Sequence, residues 1–335
     1  MNNTSKKKSN LRYVTSIFWN IEEHRLRALW RLLGTVLFIV ILTVIVGIVF
    51  SMLGANPAPY TGQLQSNIAT VAAIWLATRF LDRRKFSDTG IQLNRDWWID
   101  LGFGLVLGAL LITAIFLVEL AAGWITISEI FRTANSGQSF IIAILLPALF
   151  YLSVGIAEEL VFRGYLLLNV AEGFNIRFIS SRGALIVSWL LTAAFFGIAH
   201  AIRPNADILG IVNITLAGIW LGLGYVLTGS LAISIGAHIA WNFFLGNVFG
   251  FPVSGTNFFP TTFIAIEQSG PEVWTGGAFG LESSLMGPFA IALGILLVAV
   301  WVRIRYGKLM LFTAIADPPP ERQMAAGGVS GRDAP

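Results

Sequence analysis

The stretch FIIAILLPALFYLSVGIAEELVFRGYLL, residues 140–167, decides the fold class of this chain. Its first 18 residues carry no charged side chain, and a membrane crossing needs about 20 predominantly apolar residues. Glu158, Glu159 and Arg163 then follow directly. Ionisable side chains are costly inside hydrocarbon, so this cluster marks a candidate functional site on a transmembrane helix.

The composition of the whole chain is that of a membrane protein. Of the 335 residues, 56% are hydrophobic and 12% are charged, against roughly 25% charged residues in soluble domains. The mean hydropathy is +0.74. We therefore expect a polytopic integral membrane protein in contact with lipid. The sequence has no cysteine, which excludes disulfides, thiolate metal sites and a cysteine nucleophile.

Apolar segments of membrane-spanning length recur along the chain and predict an all-α bundle of about eight transmembrane helices. No internal repeat is visible, which argues against a transporter built from inverted repeats. The candidate spans are residues 30–53, 64–81, 98–122, 139–166, 183–201, 207–227, 230–249 and 287–304.

Lysine and arginine concentrate in alternate connections between these segments. Residues 54–63 and 250–286 contain none, and Arg132 and Arg203 are the single ones in the two other connections of that set. Because positive charge marks cytoplasmic loops, both termini are predicted to be cytoplasmic. The net charge of +4 follows from the basic flanks, so no nucleic-acid partner is predicted. The size and composition suit a multi-pass protein of a bacterial plasma membrane.

The predicted organisation divides the chain into six parts, with the polar clusters in the third. The last part is rich in proline and glycine, and we expect it to be disordered. The parts are a basic cytoplasmic segment (1–29), N-terminal transmembrane helices (30–137), a catalytic membrane core (138–250), an outer loop (251–286), a last transmembrane helix (287–306) and a cytoplasmic tail (307–335).

Helical spacing gives the glutamate cluster a geometry. Glu159 and Arg163 stand at positions i and i+4, so their side chains can form an ion pair. Glu158 points about 100° away on the helix. Such a pair is by itself most often structural. The spacing predicts that Glu159 is neutralised by Arg163, while Glu158 stays available for chemistry.

Two histidines stand inside apolar segments, and each has a partner at helical spacing. His238 and Asn242 are at i and i+4, as are Phe196 and His200. A lone histidine on an apolar helix face usually bonds only a neighbouring group, and Phe196 alone would be a packing residue. Burying a polar group in hydrocarbon costs free energy, and the polar groups here lie on three separate spans. Their convergence with Glu158 in one shared site would reduce that cost, so the sequence favours such a site.

Three short motifs that contain these polar residues follow one another along the chain. EELVFR fits the pattern E-E-x-x-x-R, FGIAH fits F-x-x-x-H, and HIAWN fits H-x-x-x-N. Together they resemble the CPBP family of intramembrane proteases, which includes CAAX prenyl proteases, bacteriocin-processing and immunity proteins, and lysostaphin-resistance proteins. The resemblance covers residues 140–250.

The resemblance implies roles for the polar residues. Glu158 would be the catalytic carboxylate and His200 its partner in activating water. His238 and Asn242 would stabilise the oxyanion of the tetrahedral intermediate, and Phe196 would support the site. The predicted activity is an intramembrane endopeptidase that hydrolyses a peptide bond of a membrane-associated or lipidated protein or peptide.

A metal-dependent and a metal-free mechanism both stay open for such a site. Zinc would need three protein ligands, which Glu158, His200 and His238 could supply. The only other nearby carboxylate would then be Glu159, which the resemblance assigns, with Arg163, to holding the helix in register. We favour water activated without a cofactor, and zinc is the alternative cofactor.

The predicted spans place the candidate catalytic residues at different depths in the membrane. At about 1.5 Å per residue, His238 and Glu158 lie about 12 Å from the cytoplasmic side, which predicts cleavage near that face. The same count places His200 about 25 Å from the cytoplasmic side. Convergence therefore requires a tilted helix, a helix that starts inside the membrane, or different boundaries. A non-catalytic immunity or scaffold protein and a proton-coupled transporter are the alternative functions.

Overall fold

The computed structural model describes residues 15–55, 58–135 and 137–318. The lysines at the start of the predicted basic segment, and the tail from residue 319 onward, lie outside these residues. The helices are α1 (Ala28–Met52), α2 (Pro59–Leu76, continued by the π-helical turn Ala77–Leu81), α3 (Arg95–Ala121), α4 (Phe140–Phe174), α5 (Ser181–Ala199), α6 (Ile208–Thr228), α7 (Ala232–Phe243, continued by the π-helical turn Phe244–Val248), α8 (Glu272–Thr275) and α9 (Met286–Tyr306).

Each of the eight predicted spans overlaps a helix, but α2 and α7, which correspond to residues 64–81 and 230–249, do not have the length and apolar composition of a membrane span. Within the described residues, six helices, α1, α3, α4, α5, α6 and α9, are long and apolar enough to cross a membrane. The chain is thus an integral multi-pass membrane protein with a mostly helical fold. The cytoplasmic position of both termini stays a prediction.

Helix α4 extends further than predicted. The apolar pattern placed its end at residue 166, but the helix continues to Phe174 through a π-helical stretch, Leu160–Leu167. Hydropathy shows which residues favour lipid, whereas the backbone hydrogen bonds that define the helix continue into polar surroundings. At Gly164, a Cβ atom would lie 2.9 Å from both Leu231 and the Thr89 carbonyl, so this part of α4 contacts the start of α7 directly.

Two antiparallel strand pairs add to the expected all-α fold. One joins β1 (Trp19–Asn20) to β2 (Arg25–Leu26). The other joins β3 (Ile125–Arg132) to β4 (Thr262–Gln268), the second of which lies in the predicted outer loop. Pairing satisfies backbone groups that the loop would otherwise leave open, so this loop has a defined structure at one end of the bundle.

Glycines allow α3 and α7 to approach closely. A Cβ atom at Gly104 would lie 2.4 Å from the Ile233 carbonyl oxygen, and one at Gly108 would lie 2.5 Å from the Ala237 carbonyl oxygen. The two glycines are four residues apart, the spacing typical of close helix contacts in membranes. They hold in place the helix that carries His238.

A buried ionic cluster ties together the other end of the bundle. Glu172, near the end of α4, accepts hydrogen bonds from Arg25 at 2.8 Å and from Arg31 at 2.7 Å, and it contacts Arg84. Arg31 also lies 3.3 Å from Asp82. Burial lowers the pKa of Arg84 to about 10 and raises the pKa of Asp82. Part of the predicted basic flank is therefore internal and joins α1, α2 and α4.

Candidate active site

Glu159 connects two helices through a single carboxylate oxygen. Its Oε1 accepts a hydrogen bond from Arg163 Nη1 at 2.7 Å and another from His238 Nδ1 at 2.8 Å. The residue is fully buried, and its Oε2 has no hydrogen-bond partner. The ion pair expected from the spacing is present, but the bond to His238 was not expected. Glu159 therefore orients an imidazole as well as neutralising an arginine.

Arg163 joins three helices. Besides Glu159, its guanidinium donates to the Gly218 carbonyl oxygen on α6 at 3.2 Å. It also lies over the ring of Phe196 on α5, 4.4 Å from the centroid. The Phe196 ring in turn contacts His200, with 4.8 Å between the ring centroids. Arg163 and Phe196 thus hold α4, α5 and α6 around the site.

Glu158 has a different environment from its neighbour. Its side chain is 16% exposed, and its Oε2 has no hydrogen-bond partner. This oxygen faces His238 Nε2 at 3.8 Å, which is too long for a direct hydrogen bond. The His238 ring is therefore flanked by two carboxylates, with Glu159 at Nδ1 and Glu158 beyond Nε2.

The hydrogen bonds define the tautomers of both histidines. A carboxylate or a carbonyl oxygen only accepts, so the hydrogen lies on Nδ1 of His238. His200 Nδ1 lies 2.8 Å from the Phe196 carbonyl oxygen and donates to it in the same way. In each ring Nε2 is then available for other chemistry. Among the described residues, no carboxylate oxygen lies within 4.0 Å of a His200 nitrogen, so the imidazole that faces Glu158 is that of His238.

The depth conflict disappears once the helix ends are known. Asn175 and Ser181 lie together, 3.5 Å apart between their side-chain oxygens, at the end of α4 and the start of α5. From this level Glu158 is about 25 Å along α4, and His200 is about 28 Å along α5. Gly164 is about 16 Å along α4 from this level, and it contacts Leu231 at the start of α7. His238 lies about 10 Å further along α7. All three side chains thus lie at nearly the same height.

One cavity connects these groups. It contains about 790 Å³ of empty space, open solvent included, and it is lined by Glu158, His200, His238 and Asn242. The Asn242 side chain is 6% exposed and has no hydrogen-bond partner among the described residues. Its amide is thus free to donate to a group in the cavity. The walls between the polar groups are largely apolar and include Trp220, Trp241, Phe150, Val154 and Ile214.

Sequence reasoning missed the far end of the cavity. Arg203, three residues after His200, lines it, as do Ser254 and Glu282 from the loop after α7. Glu282 accepts hydrogen bonds from the Ser254 backbone at 2.6 Å and hydroxyl at 2.7 Å. Arg203 has no side-chain partner among the described residues. Its isolation in a connection otherwise free of positive charge was the available signal.

The donor set does not fit the zinc site considered from the sequence. Glu158 Oε2 and His238 Nε2 lie 3.8 Å apart, and the bond from His238 Nδ1 to Glu159 leaves Nε2 free, so these two side chains alone could bind one metal ion. The third ligand is missing. No three histidine, aspartate or glutamate side chains in the described part of the chain lie close enough together to bind a metal ion. A catalytic zinc site needs three protein ligands, and we therefore derive no step through a metal.

Comparisons with known proteins agree with the motifs. Residues 137–244 match the family model described as type II CAAX prenyl endopeptidase Rce1-like. The uncharacterized protein YyaK of Bacillus subtilis is 29% identical over 180 residues, which cover 52% of this chain and 56% of YyaK. The chain thus aligns with little more than half the length of this curated relative. No solved structure matches it. The resemblance inferred from the motifs is confirmed: the matched residues, 137–244, contain all three motifs and are similar to the Rce1-like type II CAAX prenyl endopeptidases, a family of proteases.

Proposed function

We propose that the protein is an intramembrane endopeptidase in which Glu158 activates water for attack on a peptide bond. One observation carries the proposal. The unpartnered Oε2 of Glu158 lies 3.8 Å from His238 Nε2 in a cavity that His200 and Asn242 also line. One water molecule can bridge this separation once the buried Oε2 turns into the cavity.

Glu158 is suited to act as the general base. It is the carboxylate of the pair that faces the cavity and has no fixed partner on Oε2, so its lone pairs can accept a proton from water. Glu159 is already bonded to Arg163 and His238 and cannot serve in the same way. A positioned base contributes about 10²- to 10⁴-fold to the rate.

His238, Asn242 and His200 would complete the machinery. The bond from His238 Nδ1 to Glu159 fixes the ring, and in the imidazolium form Nε2 also carries a hydrogen, which it can donate to the oxyanion. The Asn242 amide, one helical turn along α7, is the second donor. Nε2 of His200 can accept the remaining hydrogen of the water and orient it. This extends the role predicted for His238, since it also contacts the water.

The reaction balances without a co-reactant. The water oxygen attacks the carbonyl carbon while Glu158 takes one proton, and the negative charge develops on the carbonyl oxygen. Glu158 then delivers the proton to the amide nitrogen as the carbon–nitrogen bond breaks. The products are a new carboxyl terminus and a new amine, and Glu158 returns to its ionised form.

Peptide cleavage by the reconstituted protein tests the proposal. Proteoliposomes would be incubated with a defined mixture of random-sequence peptides, and new termini identified by mass spectrometry. The wild type should generate termini that Glu158→Gln does not. Glu129→Gln is the matched control, because Glu129 is exposed on β3, and it should cleave like the wild type.

The result also separates the alternatives. Equal cleavage by the wild type and Glu158→Gln would refute the role of Glu158 as the base. No cleavage by any variant, with intact folding, would favour the non-catalytic membrane partner. A substrate-dependent pH change inside the vesicles would instead favour proton-coupled transport.

A further inference from the structure

We propose that the catalytic cavity opens on the face of the membrane opposite the cytoplasm. Its substrate would then be a segment of an exported or membrane-anchored protein exposed on that face. This inference rests on the proposed function and names its substrate class. It departs from the cytoplasmic access expected from the sequence.

The cavity lining shows toward which end of the bundle the cavity extends. Beyond the catalytic groups, the cavity is lined by Ser254, Thr256 and Phe258 of the loop after α7. It is also lined by Gln63 in the first turns of α2, and by Arg203 in the connection after α5. These residues all belong to one end of the bundle. The cavity therefore extends from Glu158 toward that end.

The opposite end is closed by buried side chains. Leu160 and Leu231 are fully buried, and the Leu231 amide donates to the Gly90 carbonyl oxygen at 3.0 Å. Beyond them lies the ionic cluster around Glu172. Among the described residues, none of the cavity lining comes from the connections at this end, residues 82–94, 175–180, 229–231 and 307–318.

Charge identifies the closed end as cytoplasmic. Its connections and the adjoining helix ends carry most of the lysine and arginine of the membrane domain, whereas Arg132 and Arg203 are the only ones in the connections at the open end. Positive charge in short loops marks the cytoplasmic side. The end of the bundle that bears the cavity mouth is then the non-cytoplasmic one.

The cavity also limits what can enter. The enclosed part is smaller than the 790 Å³ of empty space between its walls, because that figure includes open solvent. The walls present Trp220, Trp241 and Ile291. A short extended segment with apolar side chains fits such a space, whereas a folded domain does not. The substrate class is thus an extracytoplasmic segment that leads into or lies against the membrane.

The absence of cysteine from the sequence makes a direct test available, because each introduced cysteine is the only thiol. Asn257→Cys reports on the exposed surface of the open end, Ala217→Cys on the cavity wall, and Ser87→Cys on the exposed surface of the closed end. Leu149→Cys is the lipid-facing control, because Leu149 is 60% exposed on α4 outside the cavity. Intact cells would be treated with a small, charged, membrane-impermeant thiol reagent.

We expect Asn257→Cys and Ala217→Cys to be labelled in intact cells. Ser87→Cys should react only after permeabilisation, and Leu149→Cys should react in neither case. Labelling of Asn257→Cys only after permeabilisation would overturn the inference, as would labelling of Ala217→Cys from inside-out vesicles alone. Absence of Ala217→Cys labelling from both sides would also overturn it, since an open cavity must admit the reagent.

The labelling pattern is independent of catalysis. If labelling follows the expected pattern but no peptide is cleaved, the opening stands and the proposed function fails. If peptides are cleaved but labelling occurs only from the cytoplasmic side, the proposed function stands and this inference fails.

Discussion

The two adjacent glutamates should respond oppositely to the same substitution. Glu158→Gln removes a carboxylate whose Oε2 has no partner, so folding stability should change little. Activity should fall by about 10²- to 10⁴-fold, the contribution of a positioned general base. Both results follow from the position of Glu158 at the cavity wall and not in an ion pair.

Glu159→Gln should primarily affect stability. Arg163 is 2% exposed, and the substitution leaves its charge without the carboxylate 2.7 Å away. Removing one partner of a buried ion pair costs about 3 to 5 kcal/mol. Some activity should also be lost, because the same oxygen of Glu159 holds His238 Nδ1. A glutamine oxygen can still accept that bond, so the remaining activity should exceed that of Glu158→Gln.

Tryptophan fluorescence during thermal unfolding in detergent measures the stability of both variants, since the chain has 11 tryptophans. Peptide cleavage in proteoliposomes measures their activity. The reasoning is refuted if Glu158→Gln retains activity within tenfold of the wild type. It is also refuted if Glu159→Gln unfolds at the wild-type temperature and is as inactive as Glu158→Gln.

Three further results are expected. Asn242→Ala should lower kcat by about 10²- to 10³-fold with little change in KM, because a hydrogen-bond donor to the transition state is lost. An effect on KM alone would show that Asn242 binds substrate instead. Gly108→Leu should prevent stable folding, because a Cβ there would lie 2.5 Å from a carbonyl oxygen of α7. Gly102→Leu on the same helix has open space around it and should fold normally. Equal thermal stability of the two variants would contradict the close helix contact. Cleavage should persist after treatment with a metal chelator, and stoichiometric zinc in the purified protein with chelator-sensitive activity would show that the donor set rearranges around a metal.

Much of the helical architecture follows from local properties of the chain. Lipid selects long apolar segments, and all eight predicted spans overlap helices, although only six helices of the described residues are long and apolar enough to cross a membrane. The i and i+4 spacing of Glu159 and Arg163 predicts their ion pair because both lie on one helix. The strand pair β3–β4 was not predicted, because its partners are more than a hundred residues apart and lie in connections without a strong apolar signal.

The convergence of the site depends on longer-range geometry. Separate motifs indicate that Glu158, His200 and His238 belong together, but counting from predicted helix ends gave them different depths. The difference arose because α4 runs on to Phe174 and α7 begins well inside the bundle, where Leu231 rests against α4. Hydropathy contains no information on the height of one helix relative to another.

The sequence by itself determined that this is a multi-pass membrane protein, which family motifs it carries and which side chains are candidates for catalysis. These properties depend on the cost of placing polar groups in hydrocarbon and on contacts within one helix. Only the tertiary structure decided that Glu159 holds His238, that Glu158 is the carboxylate left facing the cavity, and that this cavity reaches the loops opposite the basic end. These are relations between helices distant in sequence, and they are set by how closely side chains and glycines let those helices approach.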